Sequence, residues 1–271
     1  MMNDTPAIMP ELQPPPPQKR VWGGWATAGF GAVIMLVFFI VQTVVIIVAL
    51  FINGIPDFSQ LSPNMTYNDI LNSMTEIFDN LGLSQSIATI VSGIVGIVLV
   101  FVVIKVRQRA GIWEYLGLDK ISLKGILGAV AIVAAFYALT FGINYFTGGT
   151  DTEAVMNDLY ASSVWPALFW IAVVVFAPAF EEIFFRGFLL EGFRQSRIGS
   201  FGAIIVTAVV WAMLHAFQYS LVNVAWILVL GIIMGIVRVK TKSLWNTIVM
   251  HMLINTVGMI EIAVNAGKLI N

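Results

Sequence analysis

Apolar stretches long enough, or nearly long enough, to cross a lipid bilayer make up most of this sequence. Seven can be counted, at residues 25–53, 85–106, 124–146, 164–185, 201–217, 222–239 and 244–262. A hydrocarbon core about 30 Å thick requires roughly 20 apolar residues in a helix. Only helices and closed barrels satisfy all of their backbone hydrogen bonds there. The stretches therefore predict an all-α fold, a polytopic membrane helix bundle with seven or eight transmembrane helices.

The composition supports this class and excludes several others. Of the 271 residues, 59% are hydrophobic and 11% are charged, whereas soluble proteins carry about 25% charged residues. The sequence contains no cysteine, which excludes disulfides, thiolate metal sites and cysteine nucleophiles. The net charge of −1 gives no indication of a nucleic-acid partner. We expect the lipid bilayer as a partner and no nucleic acid.

Lysine and arginine occur in alternate loops between the apolar stretches. They precede the first stretch and lie between the second and third, the fourth and fifth, and the sixth and seventh. The loops at 54–84, 147–163 and 218–221 contain neither residue. Because cytoplasmic loops carry an excess of these cations, the pattern predicts a multi-pass integral membrane protein with a cytoplasmic N-terminus. In a prokaryotic host it would lie in the cell membrane.

Three regions follow from the distribution of polar segments. Residues 1–22 are rich in proline and predict a disordered cytoplasmic tail. Residues 23–123 are expected to hold N-terminal membrane helices and two polar segments. One is an acidic outer loop at 54–84 with a short amphipathic helix, and the other is a cytoplasmic linker at 110–123. Residues 124–265 are expected to form the functional core.

Two adjacent glutamates, Glu181 and Glu182, lie inside the fourth apolar stretch. A carboxylate at the bilayer centre costs about 2.5–3.5 kcal/mol on insertion scales. Such a pair therefore indicates chemistry, transport or a buried ion network. Glu182 and Arg186 are four residues apart. This spacing places them on one helix face and predicts an ion pair that orients the carboxylate.

The other strongly polar residues of the last four stretches are few, and they include both histidines of the chain. They are Trp211, His215, Asn246, His251 and Asn255. Trp211 and His215 are one helical turn apart, so their rings are expected to pack together. His251 and Asn255 share a helix face for the same reason. This concentration of polar groups predicts a functional site.

The spacing around one turn predicts that these groups converge. Glu181 lies 17 residues before Ile198 and His215 lies 17 residues after it, so a helical hairpin would place both at similar depth. Carboxylates, imidazoles and a carboxamide could activate water, stabilise an oxyanion or bind a divalent metal. The spacing is not the His-Glu-x-x-His of soluble metalloproteases. The residues alone leave hydrolysis, metal binding and a proton relay open.

Three motifs resemble those of a known family in order and spacing. They are Glu-Glu-x-x-x-Arg at 181–186, an aromatic-x-x-x-His element at 211–215 with Trp where Phe is usual, and His-x-x-x-Asn at 251–255. The chain is similar to the CPBP family of CAAX proteases and bacteriocin-processing enzymes, also called Abi. This family includes the type II CAAX prenyl endopeptidases. The motifs cover about residues 165–260, and the first hundred residues carry no such signal.

The resemblance implies an intramembrane endopeptidase that depends on glutamate. Carried over residue by residue, Glu181 would be the general base, and His215 would position and activate the water. His251 and Asn255 would form the oxyanion site. The expected substrate is a peptide or a membrane-protein tail, cut near the cytoplasmic side. In a host that prenylates proteins, that substrate would be lipidated at its C-terminus.

The resemblance also implies supporting residues and raises the question of a metal. Glu182, Arg186 and Trp211 would support the catalytic geometry. The family is often described as metalloproteases, although a metal-free glutamate mechanism is favoured for its best-understood members. If a divalent metal such as zinc were used, its expected ligands would be Glu181, His215 and His251.

Two other classes of function compete with the protease. One is a non-catalytic bacteriocin-immunity or scaffold membrane protein on the same fold, against which the complete set of motifs argues. The other, less favoured, is a proton-coupled transporter that uses the glutamates and histidines as a relay. Such transporters are typically built from inverted repeats, and no internal repeat is evident in this sequence.

Overall fold

The structure is a computed structural model that describes residues 22–53, 81–107, 111–147 and 154–266. Most of these residues are helical, short turns and irregular segments join the helices, and no strand occurs among them. Along these ranges the helices are α1 Gly24–Asn53, α2 Leu81–Val106, α3 Ile112–Leu116, α4 Leu123–Thr147, α5 Ala154–Ala161, α6 Pro166–Arg194, α7 Gly199–Leu214, α8 Leu221–Thr241 and α9 Leu244–Asn265. The predicted all-α class is confirmed.

Six of the described helices, α1, α2, α4, α6, α8 and α9, are long and apolar enough to cross a membrane. Helix α7 is apolar but has only 16 residues. It corresponds to the fifth predicted stretch and ends at Leu214, three residues before the expected boundary. The chain is therefore an integral, multi-pass helical membrane protein. The number of long apolar helices among the described residues is close to the seven predicted spans.

Two predicted segments fall largely outside the described residues. These are residues 1–21 of the proline-rich tail and residues 54–80 of the outer loop. The last four residues assigned to that loop belong to α2. Trp22, assigned to the end of the tail, instead packs on the bundle, and its indole N–H donates to the carbonyl of Val103 at 3.0 Å.

Helix α2 presents a row of small residues to its neighbours α1, α5 and α6. Its buried small residues are Gly82, Ser84, Ser86, Ala88, Ser92, Gly93 and Gly96. Small side chains let membrane helices approach closely. A Cβ at Gly96 would lie 2.3 Å from the ring of Phe180. That ring also stacks on Phe38 of α1, with centroids 4.4 Å apart. The middle of α6, next to Glu181, is therefore firmly held.

Helix α6 is not a regular α-helix along its length. Its α-helical turns alternate with π-helical segments at Ala172–Phe176 and Glu182–Leu189. Insertions of π-helix inside α-helices are frequent at functional sites because they redirect side chains and free backbone groups. Both glutamates lie at the start of the second π segment, with Glu181 as the residue before it.

The linker that joins α2 to α4 is bound to the turn between α8 and α9. Gly117 ends α3 with φ of 71°, a left-handed conformation that favours glycine. Its carbonyl accepts from the N–H of Leu244 at 3.0 Å. The carbonyl of Leu116 accepts from the buried guanidinium of Arg238 at 3.0 Å. The linker is consequently part of the packed core.

Tyr115 of α3 makes the folding stability sensitive to alkaline pH. Its side chain is buried, and its hydroxyl has no hydrogen-bond partner among the described residues. Burial, and then the charge of Glu191, raise the pKa of the Tyr115 hydroxyl. A raised folded-state pKa gives stability that is complete below the unfolded-state pKa of about 10 and declines as the pH rises above it.

We therefore expect Tyr115→Phe and the wild type to have the same unfolding temperature near pH 7. At about pH 11 the variant should unfold at a higher temperature than the wild type. The expected match near neutrality follows from the unpaired hydroxyl, whose removal breaks no hydrogen bond. Thermal unfolding in detergent measures both temperatures. Parallel losses of stability in the two proteins over this pH range would contradict the assignment.

Candidate active site

A cavity of about 230 Å³ lies between α1, α2, α6 and α7. Glu181 of α6 and Trp211 of α7 line it, together with His215, which directly follows α7. The indole N–H of Trp211 donates to Glu181 Oε2. This contact joins residues 30 positions apart. The hairpin of α6 and α7 thus brings the first two motifs side by side, as expected from their equal distances to the turn at Ile198.

The imidazole of His215 is oriented by its own helix. Its Nδ1 lies 2.8 Å from the carbonyl oxygen of Trp211. Because a carbonyl only accepts, Nδ1 carries a proton, and in the neutral ring Nε2 holds the free lone pair. The ring meets Trp211 edge-on, with centroids 5.1 Å apart, which is the packing expected from their spacing. The ring of Tyr219 lies 5.8 Å away on another side.

Glu182 is fully buried and contacts a different set of groups. Its Oε1 accepts from Arg186 Nη1 at 2.9 Å and lies 3.1 Å from His251 Nδ1. Arg186 is buried as well. The ion pair expected from the four-residue spacing is therefore present. Its contact with His251 was not predicted, and it connects the first motif on α6 to the third motif on α9.

The two adjacent glutamates thus occupy different environments. Glu181 is half-buried and faces the cavity, and no lysine or arginine forms an ion pair with it within the described ranges. Glu182 is enclosed and is bound to Arg186 and His251. One carboxylate is open to the cavity, whereas the other is enclosed by its contacts with Arg186 and His251.

Trp211 is the residue that contacts most of the candidate site. Besides donating to Glu181, its ring lies under the guanidinium of Arg186, with 4.3 Å from Cζ to the ring centroid. It meets His251 edge-on at 5.4 Å, in addition to its contact with His215. A phenylalanine could keep the ring contacts but could not donate a hydrogen bond to the carboxylate.

A second cavity of about 230 Å³ shares residues of the first. His215, Asn255 and Trp211 line both cavities, and His251 lines the second alone. The four residues expected to be catalytic therefore surround two adjoining spaces. Tertiary packing brings the three sequence motifs together in one region of the bundle.

Asn255 makes a contact that the sequence did not predict. In the first π segment the N–H of Ala177 donates to the carbonyl of Ala172, five residues back. The next residue, Pro178, has no N–H to offer. The carbonyl of Val173 is thereby left without a helical donor, and Asn255 Nδ2 donates to it at 2.8 Å. Asn255 therefore ties α9 to the irregular part of α6.

This contact predicts a coupling between Asn255 and Pro178. We expect Asn255→Ala to lower the free energy of unfolding by about 1–3 kcal/mol, because it leaves a carbonyl unsatisfied. In a Pro178→Ala background the new N–H can reach Val173, so the same change should cost less. A double-mutant cycle of unfolding in detergent measures this coupling. Additive losses would show that Asn255 and Pro178 are not coupled through the carbonyl of Val173.

The candidate metal ligands are not grouped around one point in the part of the chain that the structure describes. No three histidine, aspartate or glutamate side chains converge within the described ranges. A zinc site needs at least three protein ligands around one point, at about 2.0–2.2 Å for nitrogen and oxygen. Glu181 is instead bound to Trp211, and His251 Nδ1 faces Glu182. As placed, the set Glu181, His215 and His251 does not fit a metal centre.

Some polar residues of the cavity were missed by the sequence analysis. Gln42 of α1 and Gln85, Ser86 and Thr89 of α2 line the same cavity as Glu181. A glutamine in an apolar stretch, as at Gln42 in the first and Gln85 at the start of the second, is the sequence signal for them. Asn246, grouped with the site residues, lies instead in a separate cavity beside the start of α4.

Fold and site together define a class, a multi-pass helical membrane protein with a carboxylate–histidine cluster inside its bundle. Residues 163–257 match the family model described as "Type II CAAX prenyl endopeptidase Rce1-like". This segment contains all three motifs and confirms the predicted resemblance to the CAAX protease family.

The comparisons with curated proteins and with solved structures give no further information on function. An Escherichia coli protein named "Uncharacterized 24.3 kDa protein" is 26% identical over 147 residues, which are 53% of this chain and 65% of the relative. The match thus spans just under two thirds of that protein, and its name states no activity. No solved structure matches the chain.

Proposed function

We propose that the protein is an intramembrane endopeptidase in which Glu181 activates the hydrolytic water. The observation that carries this proposal is that the two adjacent glutamates lie in different surroundings. Glu181 faces a cavity that His215 also lines, whereas Glu182 is enclosed with Arg186 and His251. A general base must be accessible to the proton that it removes, and of the pair Glu181 meets that condition.

The proposed reaction uses the groups on both cavities. A water between Glu181 and His215 Nε2 would lose a proton to the carboxylate as it attacks the peptide carbonyl carbon. The proton would then pass to the leaving amine as the C–N bond breaks. Trp211 holds the carboxylate by its indole N–H, so the base is positioned before the substrate arrives.

The oxyanion would form beside His251 and Asn255. One N–H of the Asn255 carboxamide is used by Val173, and the second remains available as a donor. His251 directs Nδ1 to Glu182, so its Nε2 is the nitrogen left for the oxyanion. It donates when the ring carries both protons, a state for which Glu182 supplies a carboxylate partner.

The proposed substrate is a peptide or a membrane-protein tail that reaches the site within the bundle. The alternating lysine and arginine loops favour a cytoplasmic N-terminus and a site in the cytoplasmic half of the membrane. In a host that prenylates proteins, a C-terminally lipidated tail is the proposed substrate. Membrane proximity would then contribute to substrate capture.

The experiment that tests this function compares protein and peptide termini in cells. Cells carrying wild-type protein are compared with cells carrying Glu181→Gln at matched abundance. New termini that appear only with the wild type would support the protease and identify its substrates. Identical termini, with both proteins folded in the membrane, would instead favour the immunity or scaffold function.

Trp211→Phe tests the hydrogen bond that orients the base. We expect a loss of roughly 10- to 150-fold in kcat with little change in KM, because hydrogen bonds to charged groups contribute roughly 1.5–3 kcal/mol and the ring contacts persist. Steady-state hydrolysis of an identified substrate measures both constants. A variant with wild-type kcat would show that Glu181 does not need this donor.

A further inference from the structure

A cavity of about 850 Å³ lies apart from the candidate active site, between α4, α8 and the start of α9. None of the proposed catalytic residues lines it. Its long walls are apolar, and they are formed by Gly128, Ala129 and Ile132 of α4 and by Ile233, Ile236 and Val237 of α8. The cavity is a groove between two helices that are long enough to cross a membrane.

One end of this groove is strongly basic. Lys120, Lys124 and Lys240 line it and are exposed. Within the described ranges none of them takes part in the ion pairs of the protein. Helix α4 begins between the first two lysines, and its first turn is capped where the Gly125 N–H donates to Ser122 Oγ at 3.0 Å. The helix N-terminus adds partial positive charge to the same place.

A buried polar group faces the groove beside these lysines. Asn246 lines the cavity and is 2% exposed, yet its Oδ1 has no hydrogen-bond partner among the described residues. Its carboxamide lies against Gly125, where a Cβ would come within 2.8 Å of Oδ1. Buried polar atoms normally have partners. A carboxamide can offer a ligand either an acceptor or two N–H donors.

The basic end is held in place by the rest of the fold. The Ser243 hydroxyl donates to the carbonyl of Lys120. The indole N–H of Trp245 donates to the carbonyl of Leu118 at 2.9 Å. These contacts fix the linker against the start of α9, so the lysines project from a structured segment. A rigid frame of this kind favours a binding site over a loose cationic loop.

We propose that this groove binds an anionic glycerophospholipid of the surrounding bilayer. Its phosphate would lie among Lys120, Lys124 and Lys240, and a hydroxyl of its headgroup would donate to Asn246 Oδ1. An acyl chain would follow the apolar walls toward Ile132 and Ile233. Lysines at the ends of membrane helices lie at headgroup depth and attract anionic lipids. The site is independent of the proposed proteolysis.

Native mass spectrometry of the full-length protein in mild detergent tests the proposal, with phosphatidylglycerol and phosphatidylcholine added in equal amounts. The wild type is expected to retain phosphatidylglycerol preferentially. Lys120→Gln/Lys124→Gln/Lys240→Gln should reduce that retention at least roughly tenfold. The matched control is Lys105→Gln/Arg107→Gln/Arg197→Gln. It removes three exposed cations from outside the groove and should retain the lipid.

Gly128→Leu tests the acyl-chain part of the groove without changing any charge. A Cβ at Gly128 meets no atom within 4 Å, so the variant is expected to fold and to fill the groove. It should lower retention of phosphatidylglycerol while keeping all three lysines. A melting temperature close to that of the wild type, recorded for each variant, separates lost binding from lost folding.

Three results would overturn the proposal. They are equal retention of both lipids by the wild type, equal losses in the lysine variant and its control, and a polyisoprenyl phosphate that displaces phosphatidylglycerol from the same lysines. Glu181→Gln should bind the lipid as the wild type does. The failure of the lipid site is thereby distinguished from failure of the proposed protease.

Discussion

Glu181→Gln is expected to lower the rate of peptide hydrolysis by about 10²–10⁴-fold, the contribution typical of a general base. The side chain is half-buried, and glutamine keeps its shape and an oxygen that can accept from Trp211. Folding should therefore be preserved. Turnover of a substrate identified from the termini comparison, together with thermal unfolding in detergent, measures both effects.

A matched control for this change is Glu261→Gln. Glu261 is an exposed carboxylate on α9 and lines neither cavity of the candidate site. Its replacement removes the same charge and should leave turnover unchanged. Full activity in a well-folded Glu181→Gln protein would contradict the proposed mechanism. An equal loss of activity in the control would instead indicate an effect of net charge.

Arg186→Met is expected to have the largest effect on stability, a loss of about 3–5 kcal/mol in the free energy of unfolding. Glu182 is fully buried, and Arg186 pairs with its Oε1 at 2.9 Å. Without the guanidinium the carboxylate remains inside the protein as an uncompensated charge. The contact of Arg186 with the Trp211 ring is lost as well. Unfolding by denaturant in micelles measures the change.

A second ion pair on the same helix provides the comparison. Arg194 contacts Glu191 at 2.8 Å, but its side chain is 34% exposed. Partly exposed pairs contribute about 0–1 kcal/mol, so Arg194→Met should cost much less than Arg186→Met. Glu182→Gln/Arg186→Met should recover part of the loss by removing the buried charge. Equal destabilisation by the two arginine variants would contradict this account of the Glu182–Arg186 pair.

Local spacing was sufficient to predict much of the candidate site. Glu182 and Arg186 form the ion pair expected of residues four apart, and Trp211 packs on His215. The equal distances of Glu181 and His215 from their turn predicted a shared depth, and both line one cavity. These features depend on the constant rise and rotation of a helix, which the sequence alone supplies.

Other features depended on how the helices are rotated and packed. Trp211 donates to Glu181 because α7 turns that face toward α6. Asn255 reaches a backbone carbonyl that becomes free only because α6 takes a π-helical turn before Pro178. Asn246, on the same helix as His251, faces another cavity. Residue spacing within one segment carries no information about these relative rotations.

By itself, then, the sequence determined the all-α membrane class, the approximate spans, the three motifs and the proximity of the first two. Apolar length and helical periodicity are local properties, and both can be read without knowing which helices are neighbours. Only the tertiary structure decided which glutamate faces a cavity and which is enclosed. Two adjacent residues on a helix point in directions about 100° apart. Their surroundings are therefore set by Arg186, Trp211 and His251, and the latter two lie on other helices.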